Sequence, residues 1–172
     1  MASLIDTLIE TLENENTEYL KLLELSQSKT QIIVEGDLEG LEKITDEEQS
    51  FVGRINTLEH VRMDTMQKIA KVLNTDVNYL KLENLISLLD RTPREQVALA
   101  KVHDKLRTTL KEMKLINERN EQLLNSAIEM VNFNLNLIQS MKTAPETANY
   151  NRGAYSTGSA IAGSSGSFDA KQ

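Results

Sequence analysis

The chain has 172 residues, no Cys, no Trp, two Pro and two His, and 26 acidic against 19 basic side chains give a net charge of −7. Without cysteine there is no disulfide framework, thiolate zinc site or thiol chemistry, which fits a reducing compartment. No run approaches the ~20 apolar residues that span a bilayer, the N-terminal stretch lacks a basic leader, and the acidic balance disfavours nucleic acid and anionic lipid as partners. One cytoplasmic domain without stable membrane insertion is the expectation.

Strand signals, meaning β-branched alternation bounded by turn dipeptides, are missing from the first 142 residues, which read as helix throughout. The first helix starts at Ser3, where Ser3-Leu4-Ile5-Asp6 has the form of a capping box. It carries Ile5, Leu8, Leu12, Tyr19, Leu22 and Ile33 at helical spacing and ends at Gly36, a residue suited to a left-handed C-terminal cap. Asp37 caps a second helix, whose Leu41, Ile44, Phe51, Ile55, Leu58, Ile69 and Val72 fall at roughly heptad spacing up to Asn74-Thr75-Asp76. Thr45-Asp46-Glu47-Glu48 is a second capping box, so continuity through Thr45 stays open, and the acidic run reads as a solvated face. A short amphipathic piece follows with Leu82, Leu85, Ile86 and Leu89 on one face.

Thr92-Pro93-Arg94-Glu95 marks the start of the last helix, with Thr at the N-cap and Pro at the first helical position. Its seam reads Leu99, His103, Leu106, Leu110, Met113, Asn117, Asn120, Leu124, Ala127, Val131, Leu135 and Ile138. A helix running from there to Met141 is on the order of 70 Å long. That length predicts an all-α fold: an elongated antiparallel bundle or coiled coil of three long helices plus one short helix. Residues 1–142 form the bundle domain. Residues 143–172 contain no Leu, Val or Met but hold four Gly and five Ser, and read as a disordered tail.

The first ninety residues carry 18 acids and 8 bases, the remainder 8 and 11, so the basic front of the last helix is expected to lie against the two acidic helices. Catalysis has little to stand on. His60 and His103 are isolated, neither preceded by Glu at the third residue as a di-iron bundle requires, and phosphate loops and metalloprotease motifs are absent. No enzyme activity, cofactor or metal is expected. Asn117 and Asn120 form a polar seam that fixes register, or else marks a point where the chain's own helices leave the seam open. The stretch Asn125–Met141 has Glu129 as its sole charge and is apolar nearly all round; it either packs on its own chain, forms a homo-oligomer, or receives an amphipathic helix of another protein. The last choice makes Leu124, Ile128, Val131, Leu135 and Ile138 a substrate-protein-binding stripe.

The helix "LIDTLIETLENENTEYLKLLELSQSKTQIIVEGDLEGLEKI", then "FVGRINTLEHVR", then "INERNEQLLNSAIEMVNFNL" and the tail from "NYNRGAYSTGS" together resemble the FlgN-type flagellar export chaperones, over residues 4–160. That resemblance implies a small acidic bundle without catalytic activity. It would bind the terminal helices of the hook-associated junction proteins FlgK and FlgL, hold them from premature assembly and pass them to the export gate. In the family the C-terminal part of the last helix and the segment after it bind the substrate, and a tyrosine there contacts the gate component FlhA. Tyr150 and Tyr155, each followed three residues later by Gly, fit that position. A homo-oligomeric scaffold, or an adaptor of another secretion system, is the competing expectation.

Overall fold

The computed structural model describes residues 2–143 and builds them from helices: α1 (Ala2–Glu35), α2 (Leu38–Val72), a 3-10 turn (Val77–Tyr79), α3 (Leu82–Leu88) and α4 (Pro93–Thr143). Three long helices and one short one therefore form the expected all-α bundle. Contacts group the chain into two units, Met1–Val131 and Asn132–Gln172. Of the second, the described part is the last stretch of α4.

Local chemistry sets the breaks. Gly36 adopts φ +69°, a left-handed conformation that costs L-residues ~1–2 kcal/mol, and its amide returns to the Ile33 carbonyl. The Asp37 carboxylate then accepts from the Gly40 amide, capping α2. The helix runs unbroken through Thr45, whose hydroxyl donates to the Leu41 carbonyl at 2.7 Å instead of capping a new start. Asn74, at φ 53°, turns the chain out of α2. Pro93 opens α4 as its first residue, while the Thr92 hydroxyl lies 3.5 Å from the Leu89 carbonyl behind it. The capping box read at Ser3 does not form: α1 already includes Ala2, and the Ser3 carbonyl accepts the Thr7 hydroxyl within the helix.

In the first unit the helices pack as an up-down-up bundle. The side-chain bonds from α1 to α4, Asn16 to Thr109 and Ser26 to Asn120, keep a nearly constant sequence separation of 93 and 94, so these two helices run parallel, with α2 antiparallel to both. Each contributes an unbroken heptad string. On α1 it is Ile5, Leu8, Leu12, Glu15, Tyr19, Leu22, Ser26, Lys29 and Ile33; on α2, Leu41, Ile44, Glu48, Phe51, Ile55, Leu58, Arg62, Thr65 and Ile69; on α4, Leu99, Val102, Leu106, Thr109, Met113, Ile116, Asn120 and Leu123. All of these are buried or half-buried.

The α4 string corrects the sequence reading at alternate positions. Leu99, Leu106, Met113 and Asn120 are on the seam as expected, but Leu110, Asn117 and Ala127 are exposed, and Val102 and Thr109 are buried instead. On α2, Val72 is likewise exposed.

Polar members of the strings meet one another. Glu15 faces Arg62 at 3.3 Å; Glu48 accepts from Ser26 and, at 2.6 Å, from Lys29. Glu48 is therefore part of an inward polar layer, not of the solvated face expected for the acidic run. The expected pairing of basic α4 with the acidic hairpin is also absent among the described residues: the interhelical ion pairs join α1 to α2, through Glu15–Arg62, Glu18–Arg54 and Lys29–Glu48. Hydrophobic surface and polar layers seat α4 instead.

The apolar core is unevenly distributed. Its larger part gathers Ile5, Leu8, Leu12, Met66, Ile69, Leu85, Leu99 and Val102 with their neighbours; a smaller one holds Leu22, Leu23, Ile55 and Met113. Beyond Met113, the one side chain that α4 buries among the described residues is Asn120.

Candidate functional site

The site is built on α4 from the point where its buried string ends. Leu123 and Leu124 are half-buried, and from Asn125 to Lys142 every side chain is exposed. Nothing in the composition of this segment explains that exposure. In the first unit Ile128, Met130 and Val131 are 57–67% exposed; in the second, Phe133, Leu135, Leu137, Ile138 and Met141 are 49–72% exposed. Asn, Val, Phe and Ser are weak helix formers, and burial, which would normally justify such a composition, is missing. Large apolar side chains concentrated in this way mark interaction surfaces.

Below the segment, within the first unit, α4 and α2 part enough to leave an open cleft of about 500 Å³ with α1 as its floor. Val52, Met113, Leu124 and Ile128 give it apolar walls. The polar layer closes it underneath: the Asn120 amide nitrogen donates to the Ser26 carbonyl at 2.8 Å, and its oxygen accepts the Thr30 hydroxyl at 2.6 Å. Both ends of the buried amide are thus satisfied, as an amide at a core position requires. Asn117, the other residue of the polar seam, is exposed and lines the cleft.

Of the stripe, then, Leu124 and Ile128 line the cleft, and Val131, Leu135 and Ile138 lie farther along the same helix with half or more of their surface open. Tyr150 and Tyr155, like the whole predicted tail, lie outside the described residues. Met130, Phe133, Leu137 and Met141, spaced i, i+3, i+7, i+11, fall outside the stripe that the heptad seam picks out, although the sequence marks this segment as apolar on nearly every face.

The electrostatics belong to the hairpin rather than to this surface. Burial pushes the Glu15 carboxyl up from its usual range, opposed by the Arg62 guanidinium, with Glu59 adding to the rise. The Arg62 Nε and Glu15 Oε1 atoms are close, yet their alignment makes no hydrogen bond. The Glu18 carboxyl is held low, first by the hydrogen bond from Arg54, whose guanidinium also stacks 4.1 Å from the Phe51 ring centre. Among the described residues, no group of three or more His, Asp or Glu could hold a metal ion, and His60, exposed, has Nδ1 2.7 Å from the Asn56 carbonyl. No described helix is long and apolar enough to cross a membrane. The arrangement offers surface for helix binding; of the charged side chains that line the cleft, Lys29 and Glu48 are paired with each other, and Glu121 stands on α4.

Comparison with known proteins gives one match: residues 1–157 fit the family model described as FlgN protein. No curated protein and no solved structure matches the chain. With the match covering nearly the full sequence, the chain belongs to the FlgN family, a family of flagellar export chaperones that bind flagellar substrate proteins.

Proposed function

We propose that this protein works in the cytoplasm, where it binds the apolar terminal helices of the hook-associated proteins FlgK and FlgL along Leu124, Ile128, Val131, Leu135 and Ile138. The supporting observation is that eight large apolar side chains between Ile128 and Met141 are each about half exposed or more on one helix. A junction subunit awaiting export carries terminal helices that aggregate or polymerise when uncovered. Laying one of them on this stripe removes both apolar surfaces from water, the helix-on-helix mode of recognition. The neutral, Met-containing surface suits two related clients, because thioether side chains repack at small cost.

Magnitudes favour a reversible complex. Full burial of a large aliphatic side chain is worth about 1.5–3 kcal/mol, so half-exposed ones offer roughly 1 kcal/mol each. Five of them give about 5 kcal/mol and the client's matching side chains a similar amount, so a gross gain of about 10 kcal/mol is of the same order as the association cost of some 4–15 kcal/mol. A cargo that must be surrendered at an export gate calls for a modest surplus. We assign the handover to the gate component FlhA, with Tyr150 or Tyr155 as the contacting side chain, on the family likeness.

The test is Val131→Asp with Leu135→Asp. Both positions are exposed, so helical content should stay within a few per cent while pull-down of FlgK is lost. Wild-type capture by the double variant would contradict the assignment. The same exposed face would also serve a homo-oligomeric scaffold; a dimer in light scattering that takes up no junction protein would establish that reading instead.

A further inference from the structure

The exposed end of α4 offers more apolar surface than one helix can cover. At 3.6 residues per turn, Phe133, Leu137 and Met141 of the second unit lie on one line of the helix, and Leu135 and Ile138 on another roughly 130° away. All five are exposed. Asn132, Asn136 and Gln139 occupy the sector between them on the far side. In the first unit, Ile128, Met130 and Val131 are each more than half exposed. The two lines together span an arc of about 200° with Asn134 between them, whereas a helix that packs against one partner presents a stripe of about 100°.

Resting on the reading of the stripe as the client site, we propose that one client subunit supplies two neutral apolar helices, the first on Leu135 and Ile138 and the second on Phe133, Leu137 and Met141. Three observations select this occupant. The segment from Asn125 to Met141 has Glu129 as its sole charge, so the covering helices meet a surface without ionic complement and are themselves neutral along it. A second copy of this chain, laid along either line, would contribute two or three apolar side chains per partner, where a stable interface takes some 20–30 residues a side. It would also leave the other line in water. Two helices from separate molecules would each meet the association cost with equally few side chains. A second helix tethered to the first arrives at an effective concentration near the millimolar range, which lets a short stripe suffice.

The experiment uses the full chain, full-length FlgK as probe, and the variant Phe133→Ser with Leu137→Ser, read by titration calorimetry and by hydrogen exchange on FlgK. Wild-type chain should protect two separate helical segments of FlgK. The variant should bind at least tenfold more weakly and protect one of them, with its own helical content unchanged. Binding within twofold of wild type by this variant, while Val131→Asp with Leu135→Asp abolishes capture, would overturn the two-helix proposal and leave the single-stripe reading standing. Wild-type binding by the Val131/Leu135 variant would instead remove the reading beneath it, and this proposal too. A wild-type dimer that the Phe133/Leu137 variant splits would assign the second line to another copy. Altered proteolysis of residues 144–172 in the free variant, with client binding unchanged, would assign it to the chain's own end. Either result overturns the proposal.

Discussion

Two carboxylates three residues apart on α1 respond to pH in opposite directions. Glu18 has its folded-state pKa held down by Arg54, so it contributes stability above the unfolded carboxylate range that is lost as pH falls through its lowered value. Glu15 has its pKa raised by burial; its ionised form opposes folding, so the cost is absent in acid and sets in as pH rises through the raised value. Glu15→Gln should therefore gain stability relative to the parent as pH is taken from 4 to 7, and Glu18→Gln should lose it over the same range. Melting curves at each pH check both signs, and parallel curves for Glu15→Gln would contradict the burial argument. Asn120 is the other residue with a defined role. Removing its amide by Asn120→Ala breaks the buried 2.8 Å bond to the Ser26 carbonyl and leaves the Thr30 hydroxyl only its longer 3.3 Å bond to that same carbonyl. A loss of about 1–3 kcal/mol in denaturant unfolding is expected.

Among the elements, the breaks were legible in the sequence because each is decided by a few neighbouring residues. Gly36-Asp37 had to be a turn and a cap, and Pro93 could only open a helix. The inner face of α4 was harder. Two heptad strings share Leu99, Leu106, Met113 and Asn120 and differ in whether Val102, Thr109 and Ile116 or His103, Leu110 and Asn117 turn inward. Counting apolar residues favours Leu110 over Thr109, yet Thr109 is inside because its hydroxyl donates to Asn16 Oδ1 at 2.8 Å. Only the partner helix could settle that. The same blindness hid Glu15, Arg62 and Glu48, which reach the interior as pairs and which periodicity of apolar residues cannot detect. The packed core and the exposed stretch of α4 should therefore differ in sensitivity. Leu12→Ala, in the larger apolar cluster, should cost about 2–5 kcal/mol. Val131→Asp with Leu135→Asp should move stability by less than ~0.5 kcal/mol per site, since neither side chain leaves a packed environment. A large loss in the second case would show that the segment is packed in solution.

For the molecule as a whole, the division of labour runs along the sequence. Residues near the start of α1 and α4, with α3, hold the main core; polar layers then fix the register of three helices where the core thins. Past Leu124 the protein keeps apolar side chains on α4 without burying them. Composition already shows that this stretch carries a single charge, Glu129, and many apolar residues, though not whether the chain would cover it itself. The most direct test is hydrogen exchange on the full-length chain with and without FlgK. The account predicts slowed exchange in α4 from Leu124 to Met141, with α3 and the first turns of α1 unchanged. Protection confined to those other elements, with Leu124–Met141 exchanging as in the free protein, would contradict it.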